Sequence, residues 1–542
     1  MSVKQLRNIR FALIFCLPLN FIRAEIASNS EIDILHYGIY VELSDTSNSI
    51  VGRTTIEFEK SIKSKRLSLD FAALNISKIL LNNRETSFNF SDEQITIPLV
   101  DSENSDRARV EIHYSGAPTD GLLIQNNRHG RRSFFVDNWP NRAHFWFPCV
   151  DHPADKATMT LTVKAPSHYQ IVANSSLENQ TAESGGAQTW TFAKFSPISV
   201  YNIVFGVAEF VITEKYSAGF DKLKYWYFRE DSLNVERSFK DAPQMLAYFQ
   251  HRFGPFPFEK LALVQAVTVF GGMENAGAIF FNENSFKPNR TIEVTVAHEI
   301  AHQWFGDLIT PVKWNNLWLS EGFASYFGAQ YFEKSDSSKF RKLMRQSRSR
   351  YLKNKKWRQR AVIEPEPKNL FDLLNANTYT KGQWIVHMLR NELGDSLFWV
   401  SMQESVQSFA GSNWETADLR SICEKQAGRK LNWFFDQWLF QPGIPKLDIQ
   451  YYQEKNGAFY VQIQQKQKTP TMRFPLEISF ANGNSTVDKN VICSKQTEQF
   501  QWTFPAQNLE LQIDKNIKLL ADIHLKEKKF LYQKKSNRGS HK

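Results

Sequence analysis

The most informative stretch of the sequence is EVTVAHEIAHQWF, residues 293–305. It is compatible with a helix, and positions four apart on a helix lie on one face, so the imidazoles of His298 and His302 point toward the same place. Neutral imidazole is a favoured zinc ligand, and two such ligands leave room for a third ligand and a water molecule. Glu299 directly follows the first histidine and is angled off the ligand face, where it can reach that water without binding the metal.

A third metal ligand follows in the next predicted helix. Eighteen residues separate His302 from Glu321, which lies in the helical segment WLSEGFA, residues 318–324. Two histidines and a glutamate complete a catalytic zinc site, which uses three protein ligands and keeps one position open. The alternative is an amphipathic helix with two hydrogen-bonded histidines, and the position of Glu321 argues against it. We therefore predict one Zn²⁺ per chain, bound by His298, His302 and Glu321.

The hydrophobic period changes twice along the chain, and a length of 542 residues is too great for one ordinary domain. Short alternating segments fill residues 33–210, helical periods dominate the middle third, and alternation returns after Pro442 and Pro445. We predict a multidomain α+β fold. Its parts are an N-terminal all-β domain at 25–210, a mainly helical catalytic domain at 211–443 and a small β-sandwich at 444–525.

The first 24 residues are predicted to be a signal peptide. Basic residues precede an apolar run at 11–22, and Ala24 supplies a small residue near a cleavage point. The alternative is a disordered or membrane-grazing N-terminus. A signal peptide implies that the protein is secreted or periplasmic.

Charge, hydropathy and cysteine content exclude several classes of protein. The formal net charge of +10 includes +4 from residues 1–24 and +6 from a basic tail at 526–542, so the body is near neutral and nucleic-acid binding gains no support. No stretch approaches the roughly 20 apolar residues that span a bilayer, so we expect no integral membrane span. Cys149, Cys423 and Cys493, which remain after removal of the signal, imply no disulfide framework.

Three further motifs accompany the zinc motif: GGMEN at 271–275, YTKG at 379–382, and WFPCVDHP at 146–153 followed by Lys156 and Ala157. Together with the zinc motif, these segments resemble the M1 zinc aminopeptidases, a gluzincin family, over residues 33 to about 525. The resemblance implies a β-saddle first domain, a thermolysin-like catalytic domain and a β-sandwich. Many members continue with a large helical domain, so we expect this chain to be a short form without it.

The resemblance also implies roles for individual residues. The expected substrate-binding segment consists of Gly271, Gly272, Met273, Glu274 and Asn275. Within it, Glu274 holds the free α-amino group of the substrate, since a confined carboxylate attracts an ammonium group and fixes the register of cleavage. Tyr379 supports the oxyanion by donating its hydroxyl proton. The family has alanine where this chain has Gly272, and we expect this difference to have little effect on the site.

One substrate-binding assignment rests on register alone. The family often uses a glutamine or glutamate of the first domain to help bind the amine, and counting from Pro148 places Asp137 near that position. We therefore include Asp137 among the candidate substrate-binding residues.

The motifs together predict a zinc-dependent aminopeptidase that acts on peptides with a free N-terminus. In this hypothesis zinc activates a water and Glu299 transfers its proton to the leaving amine. The alternatives are a zinc endopeptidase, another hydrolase on the same scaffold such as an epoxide-hydrolysing relative, and a non-catalytic binding protein. The intact set of site residues disfavours the last of these.

Overall fold

The structure is a computed structural model that describes residues 32–532, apart from 62, 73, 100–105, 194–195, 484 and 507. The predicted signal peptide and the last ten residues of the predicted basic tail lie outside the described residues.

Strands and short 3₁₀ turns make up the regular structure of the described N-terminal region. The strands are β1 (Ile32–Glu42), β2 (Ile50–Lys60), β3 (Arg66–Asp70), β4 (Asn75–Leu81), β5 (Arg84–Glu85), β6 (Asn89–Ser91), β7 (Gln94–Pro98), β8 (Arg107–Gly116), β9 (Leu122–Asn126), β10 (Arg132–Val136), β11 (Lys156–Pro166), β12 (Gln170–Ala173), β13 (Leu177–Ala182), β14 (Ala187–Phe192), β15 (Ile198–Ser199) and β16 (Phe205–Ala208). Burial in β2 and β11 alternates along the strand, because side chains of a strand point to opposite faces.

Three sheets organise these strands. The largest has the order β13-β14-β11-β1-β2-β8-β4-β5, with β15 added to β11. Its β1 and β11 pair in parallel, and its other pairs are antiparallel. A second sheet has the order β12-β16-β10-β9, and a third has the order β3-β7-β6.

Helices dominate the middle region and pack beside a five-stranded sheet. The helices are α1 (Ser232–Phe239), α2 (Ala242–Phe253), α3 (Glu293–His302), α4 (Trp318–Ser335), α5 (Ser337–Lys353), α6 (Gly382–Leu393), α7 (Asp395–Phe409), α8 (Thr416–Ala427) and α9 (Asn432–Phe435), with π-helical turns at Asn377–Lys381 and Asp436–Phe440. The strands are β17 (Val211–Ser217), β18 (Phe220–Tyr227), β19 (Leu261–Ala266), β20 (Gly272–Met273), β21 (Ala278–Asn282), β22 (Thr310–Pro311) and β23 (Asn413–Trp414). The sheet order β17-β18-β19-β21-β20 makes the short strand β20 an edge.

Helix α4 is the centre of this region. Its residues from Trp318 to Ala324 are all buried, as expected for a helix that is apolar or small on every side. Glycines allow close approach of its neighbours. A Cβ atom at Gly328 would lie 2.9 Å from the backbone nitrogen of His298 in α3, and one at Gly322 would lie 2.8 Å from the backbone of Gly382 in α6.

The C-terminal region consists of two sheets that face each other. Its strands are β24 (Lys446–Gln453), β25 (Ala458–Gln465), β26 (Phe474–Asn482), β27 (Ser485–Cys493), β28 (Thr497–Thr503), β29 (Glu510–Ile513) and β30 (Asp522–Glu527). The sheet orders are β28-β25-β24-β30 and β27-β26-β29, and the rings of Phe459 and Phe480 meet between them at 4.9 Å. Strand β30 continues two residues beyond the predicted end of this domain at 525.

The observed order of β-rich and helical regions confirms the coarse α+β prediction for the first two parts of the chain. Cys149, Cys423 and Cys493 are buried free thiols. Within the described residues, no helix combines the length and the apolar composition that crossing a bilayer requires.

The contact between α3 and α4 makes Gly328 sensitive to substitution. In an open helix Gly→Ala raises the free energy of unfolding by about 1 kcal/mol, but here the added methyl group meets backbone rather than a movable side chain. We expect Gly328→Ala to lower the free energy of unfolding by about 1–3 kcal/mol, measured by urea unfolding in the presence of a chelator. Gly271→Ala is the control, since no atom lies within 4 Å of a Cβ there. A stabilised Gly328→Ala variant would contradict this contact.

Candidate metal centre and active site

The ends of three side chains converge between α3 and α4. The Nε2 atoms of His298 and His302 lie 3.0 Å apart, and Oε2 of Glu321 lies 3.3 Å from each of them. His298 and His302 are one turn apart on α3, and Glu321 lies in the first turn of α4. The structure therefore brings together the three residues that the sequence predicts as metal ligands.

The geometry of this cluster fits a metal ion. Three corners of a tetrahedron around zinc, with bonds of about 2.0–2.2 Å, are separated by roughly 3.3 Å. Oε2 of Glu321 is buried and has no hydrogen-bond partner among the described residues. A buried carboxylate oxygen that faces two imidazole nitrogens needs a compensating positive charge, and a divalent cation at this point supplies it.

The ring of His302 is held in the orientation that metal binding requires. Its Nδ1 lies 3.0 Å from the carbonyl oxygen of Phe305 and 3.1 Å from Oγ of Ser320. A carbonyl can only accept, so Nδ1 carries the proton and the lone pair of a neutral ring is on Nε2, which faces Glu321.

Negative charge surrounds the histidines. Burial lowers the pKa of His302, but the carboxylates of Glu274 and Glu321 outweigh burial and raise it to about 10. The pKa of Glu321 is lowered, since the neighbouring imidazoles overcome the effect of its burial. An electrostatic environment that favours a proton on an imidazole also favours a metal cation in its place.

Glu299 lies against the GGMEN segment. Burial raises the pKa of its carboxyl well above the usual value, with Glu274 and Glu321 adding to the increase. A Cβ atom at Gly272 would lie 2.2 Å from Oε1 of Glu299. Gly272, where the family has alanine, therefore allows direct contact between the GGMEN segment and Glu299, the predicted base. Glu299 also belongs to a potential donor group with the two histidines, but Glu321 has the closer approach to both rings.

Edge strand β20 carries the segment that contains Glu274. Gly272 and Met273 pair with β21, and Glu274 follows at the point where the chain leaves the sheet. The Glu274 carboxylate is buried and lies within 4.8 Å of the ligand atoms of His302 and Glu321. Burial raises its pKa to about 7. Both polar atoms of the neighbouring Asn275 side chain are buried without a partner among the described residues, and Asn275 does not line the cavity described below.

Gln303 ties this segment to the metal-binding helix. Its Nε2 donates to the carbonyl oxygen of Glu274 and, at 2.8 Å, to Oδ2 of Asp307, while its Oε1 accepts from the backbone nitrogen of Gly277 at 2.8 Å. Gln303 therefore links the position of Glu274 to that of His302. Gln303 was not predicted as a site residue, and its only signal in the sequence is that it directly follows the second histidine.

Tyr379 lies on the opposite side of the cluster, in the π-helical turn Asn377–Lys381. Its hydroxyl donates to Oε1 of Glu321 at 2.7 Å, and its ring stacks on His298 with centroids 6.3 Å apart. Burial raises its pKa well above the usual value, and Glu321 raises it further. The phenol is therefore protonated at neutral pH, and in this structure its proton is donated to Glu321.

Asp137 is not among the residues that the structure brings into the site. It is only 1% exposed, and Oδ1 accepts from Nη2 of Arg142 at 2.6 Å. Oδ2 accepts from Oγ1 of Thr268 at 2.9 Å and from the backbone nitrogen of Val269 at 3.1 Å. Oδ2 thus holds the chain that leads from β19 into the GGMEN segment, while Oδ1 is fixed by Arg142, so the structure supports a positioning role in place of the predicted contact with the substrate amine.

A cavity of about 590 Å³ opens onto this cluster. It is lined by Phe270, Gly271, Gly272, Glu274, Val294, Thr295, His298, Glu299, His302, Glu321, Ser325, Arg350, Leu374, Tyr379, Thr380 and Gln383. A second cavity, of about 610 Å³, lies between β12–β14 and the β17–β19 part of the five-stranded sheet, and its lining includes no histidine, cysteine or carboxylate. Of these two cavities, only the first is lined by side chains that could hold a metal ion.

Two histidines on one helix and a glutamate on the next form the donor set of a gluzincin-type metal centre. Residues 34–202 match the peptidase M1 N-terminal domain, and residues 237–438 match the peptidase family M1 domain. The chain belongs to peptidase family M1.

Curated relatives are similar over much of this chain but are longer than the matched part. Tricorn protease-interacting factor F2 of Thermoplasma acidophilum is 25% identical over 71% of this chain and 50% of its own length. Glutamyl aminopeptidase of Sus scrofa is 28% identical over 58% of this chain and 35% of its own length. Probable aminopeptidase 2 of Sulfurisphaera tokodaii is 28% identical over 70% of this chain and 50% of its own length. The chain thus spans about half or less of these relatives.

Removal of the Gln303 amide should loosen the GGMEN segment. Gln303→Leu leaves a buried carbonyl and a buried backbone N–H without partners, each at a cost of about 1–3 kcal/mol. We expect faster hydrogen exchange at residues 271–282, measured by mass spectrometry. Gln330→Leu is the matched control, because Gln330 is a buried glutamine of α4 that bonds to Tyr248 and Glu333. Equal exchange at 271–282 in the two variants would show that Gln303 does not hold the segment.

Proposed function

We propose that this protein is a zinc-dependent aminopeptidase that hydrolyses the first peptide bond of peptides with a free N-terminus. The observation that carries the proposal is the position of Glu274. Its carboxylate lies within 4.8 Å of the ligand atoms of His302 and Glu321. The segment that carries it is bonded to Gln303, which directly follows α3. An ammonium group bound there leaves only the first peptide bond over the metal centre.

His298, His302 and Glu321 would hold the zinc. When bound, zinc would supply a Lewis acid that lowers the pKa of a water molecule and polarises the scissile carbonyl. Glu299 accepts the proton of the attacking water and delivers it to the leaving amine, as a carboxylate beside the ligand face can do. Tyr379, protonated and 2.7 Å from Glu321, donates to the oxyanion that forms at the carbonyl.

We extend the proposal to the types of the three regions and to the location of the protein. We assign the three regions to the β-saddle, thermolysin-like and β-sandwich types that the family resemblance implies. The composition of residues 1–24 supports a secreted or periplasmic protein.

Metal binding should depend on Glu321 and not on other carboxylates of the same helices. We expect purified protein to retain one Zn²⁺ per chain after dialysis, and Glu321→Gln to lower its affinity at least about 100-fold, since a charged ligand is lost. Competition with a chelating dye measures this affinity. Glu293→Gln is the control, because Glu293 is on α3 but pairs with Lys339. Full zinc retention by Glu321→Gln would remove Glu321 from the ligand set.

The exopeptidase register should depend on Glu274. Peptides with a free N-terminus should be cleaved at the first bond, and their N-acetylated forms at least about 100-fold more slowly. Glu274→Gln should lower kcat/KM for free peptides while zinc content is unchanged. Equal cleavage of blocked and free peptides would favour an endopeptidase.

Turnover should depend on Glu299 as the base. Glu299→Gln should retain zinc and lose nearly all turnover. A fully active Glu299→Gln variant would contradict the proposed base.

A further inference from the structure

A strongly basic segment borders the active-site cavity. Residues 339–360, KFRKLMRQSRSRYLKNKKWRQR, contain eleven lysines and arginines and no aspartate or glutamate. The segment covers most of α5 and the chain that follows it. The near-neutral body of the protein thus contains one local concentration of positive charge.

Few of these cations have an acidic partner. Lys339 pairs with Glu293 at 2.7 Å, Arg348 with Asp514 at 2.7 Å, and Arg360 with Glu364 at 2.5 Å. The other eight form no ion pair with the described residues. The charge of the segment is therefore largely uncompensated within the part of the chain that the structure describes.

Two hydrogen bonds on either side of Arg350 fix α5 to the wall of the cavity. Oγ of Ser347 donates to Oε1 of Gln383 at 2.5 Å, and Gln383 lines the cavity. The hydroxyl of Tyr351 donates to Oδ1 of Asn377 at 2.8 Å, in the turn that carries Tyr379. The backbone of Arg350 is consequently held in a set position relative to the catalytic cluster.

The chain beyond α5 is held by the same asparagine. Nδ2 of Asn377 donates to the carbonyl oxygens of Trp357, Arg360 and Ala361 at 2.9–3.0 Å. The part of the basic segment from Tyr351 to Arg360 is therefore attached to the turn that carries Tyr379.

Arg350 is the only lysine or arginine among the residues that line the cavity. Its side chain is exposed, and it forms no hydrogen bond or ion pair with the described residues. The carboxylates of Glu274, Glu299 and Glu321 line the same cavity, and none of them pairs with Arg350. The cavity is therefore bipolar, with an acidic end at the metal centre and a cation elsewhere on its wall.

We propose that Arg350 binds negative charge on the peptide beyond the scissile bond, so that the enzyme prefers peptides with acidic residues or a free carboxylate shortly after the N-terminal residue. This inference rests on the proposed aminopeptidase function. With the substrate ammonium group at Glu274, the rest of the peptide occupies the part of the cavity away from the acidic end. A guanidinium group forms paired, charge-assisted hydrogen bonds with a carboxylate.

The remaining cations of the segment add attraction over a longer range. At an ionic strength of 0.1 M, charges interact over about 10 Å before salt screens them. The exposed cations around Arg350 therefore draw acidic peptides toward the cavity mouth, and Arg350 provides the contact inside it.

The test compares three peptides with the same first two residues, which continue with Glu-Glu, with Gln-Gln amide or with Lys-Lys amide. Wild-type kcat/KM should fall in that order, and the preference should weaken as salt is raised. In Arg350→Gln the ratio of kcat/KM for the Glu-Glu peptide to that for the Gln-Gln peptide should fall about tenfold. Arg350→Glu should reverse the preference.

Arg345→Gln is the matched control, since Arg345 is an exposed cation of α5 that does not line the cavity. Its peptide ratio should stay within about twofold of the wild type. Binding of the same peptides to zinc-loaded Glu299→Gln, measured by calorimetry with and without Arg350→Gln, should show the same selectivity without turnover.

An unchanged peptide ratio in Arg350→Gln would overturn the inference. So would an equal fall in Arg345→Gln, which would indicate a general surface attraction. Cleavage of all three peptides without preference would refute this inference alone. Failure of the wild type to cleave any of them would instead refute the proposed function.

Discussion

The close contact of α3 and α4 at Gly328 sets how far the two imidazoles lie from Glu321, and the charge balance of the active site depends on that distance. Glu274, Glu299 and Glu321 are all buried in one small region. Three carboxylates in a low-dielectric environment repel one another, and each loses its hydration. The raised pKa values of Glu274 and Glu299 express this cost. A divalent cation between His298, His302 and Glu321 offsets this cost. The cluster of buried carboxylates therefore destabilises the metal-free protein and favours metal binding.

The GGMEN segment is positioned from two sides, which explains how an edge strand of two residues can hold a catalytic group in place. Gln303 binds it from the metal-binding helix. From the N-terminal region, Nδ2 of Asn174 donates to the carbonyl oxygen of Ala276 at 2.8 Å, and Asp137 accepts from Thr268 and Val269. The N-terminal region therefore contributes to the active site through the backbone of this segment, and no carboxylate of that region lines the cavity.

The convergence of His298, His302 and Glu321 could be predicted from the sequence because its geometry is local. The spacing of His298 and His302 fixes one face of one helix, and Glu321 begins the next helix. Glu274 could be assigned only through the family resemblance, since its approach to His302 depends on sheet pairing and on Gln303. Counting from Pro148 placed Asp137 near the position of the family's amine-binding Gln or Glu, but a register does not show the direction of a side chain, and this carboxylate pairs with Arg142.

The secondary structure shows the same division between local and tertiary information. The helical period of residues 382–393 predicts α6 with the bounds that the structure shows, whereas residues 232–239 and 395–409, which form α1 and α7, were not predicted as helices. The apolar residues of α7 are spread around the helix, so they give a weak period, and packing against the neighbouring helices determines its fold. The end of β30 depends on pairing with β24, a contact distant in sequence.

Lys156, which closely follows the WFPCVDHP motif, connects the N-terminal region to the middle region. Nζ of Lys156 donates to the carbonyl oxygens of Asp307 and Leu308 at 3.0 and 2.9 Å, just after the metal-binding helix ends. Nδ2 of Asn202 donates to one carboxylate oxygen of Asp307 at 3.1 Å, and Gln303 donates to the other. The same side chain of Gln303 donates to the carbonyl oxygen of Glu274, so the N-terminal region, the end of α3 and the GGMEN segment share one hydrogen-bond network. Without the N-terminal region, Asp307 would lose both its partner Asn202 and its burial, so the network that holds Gln303 depends on contacts from both regions.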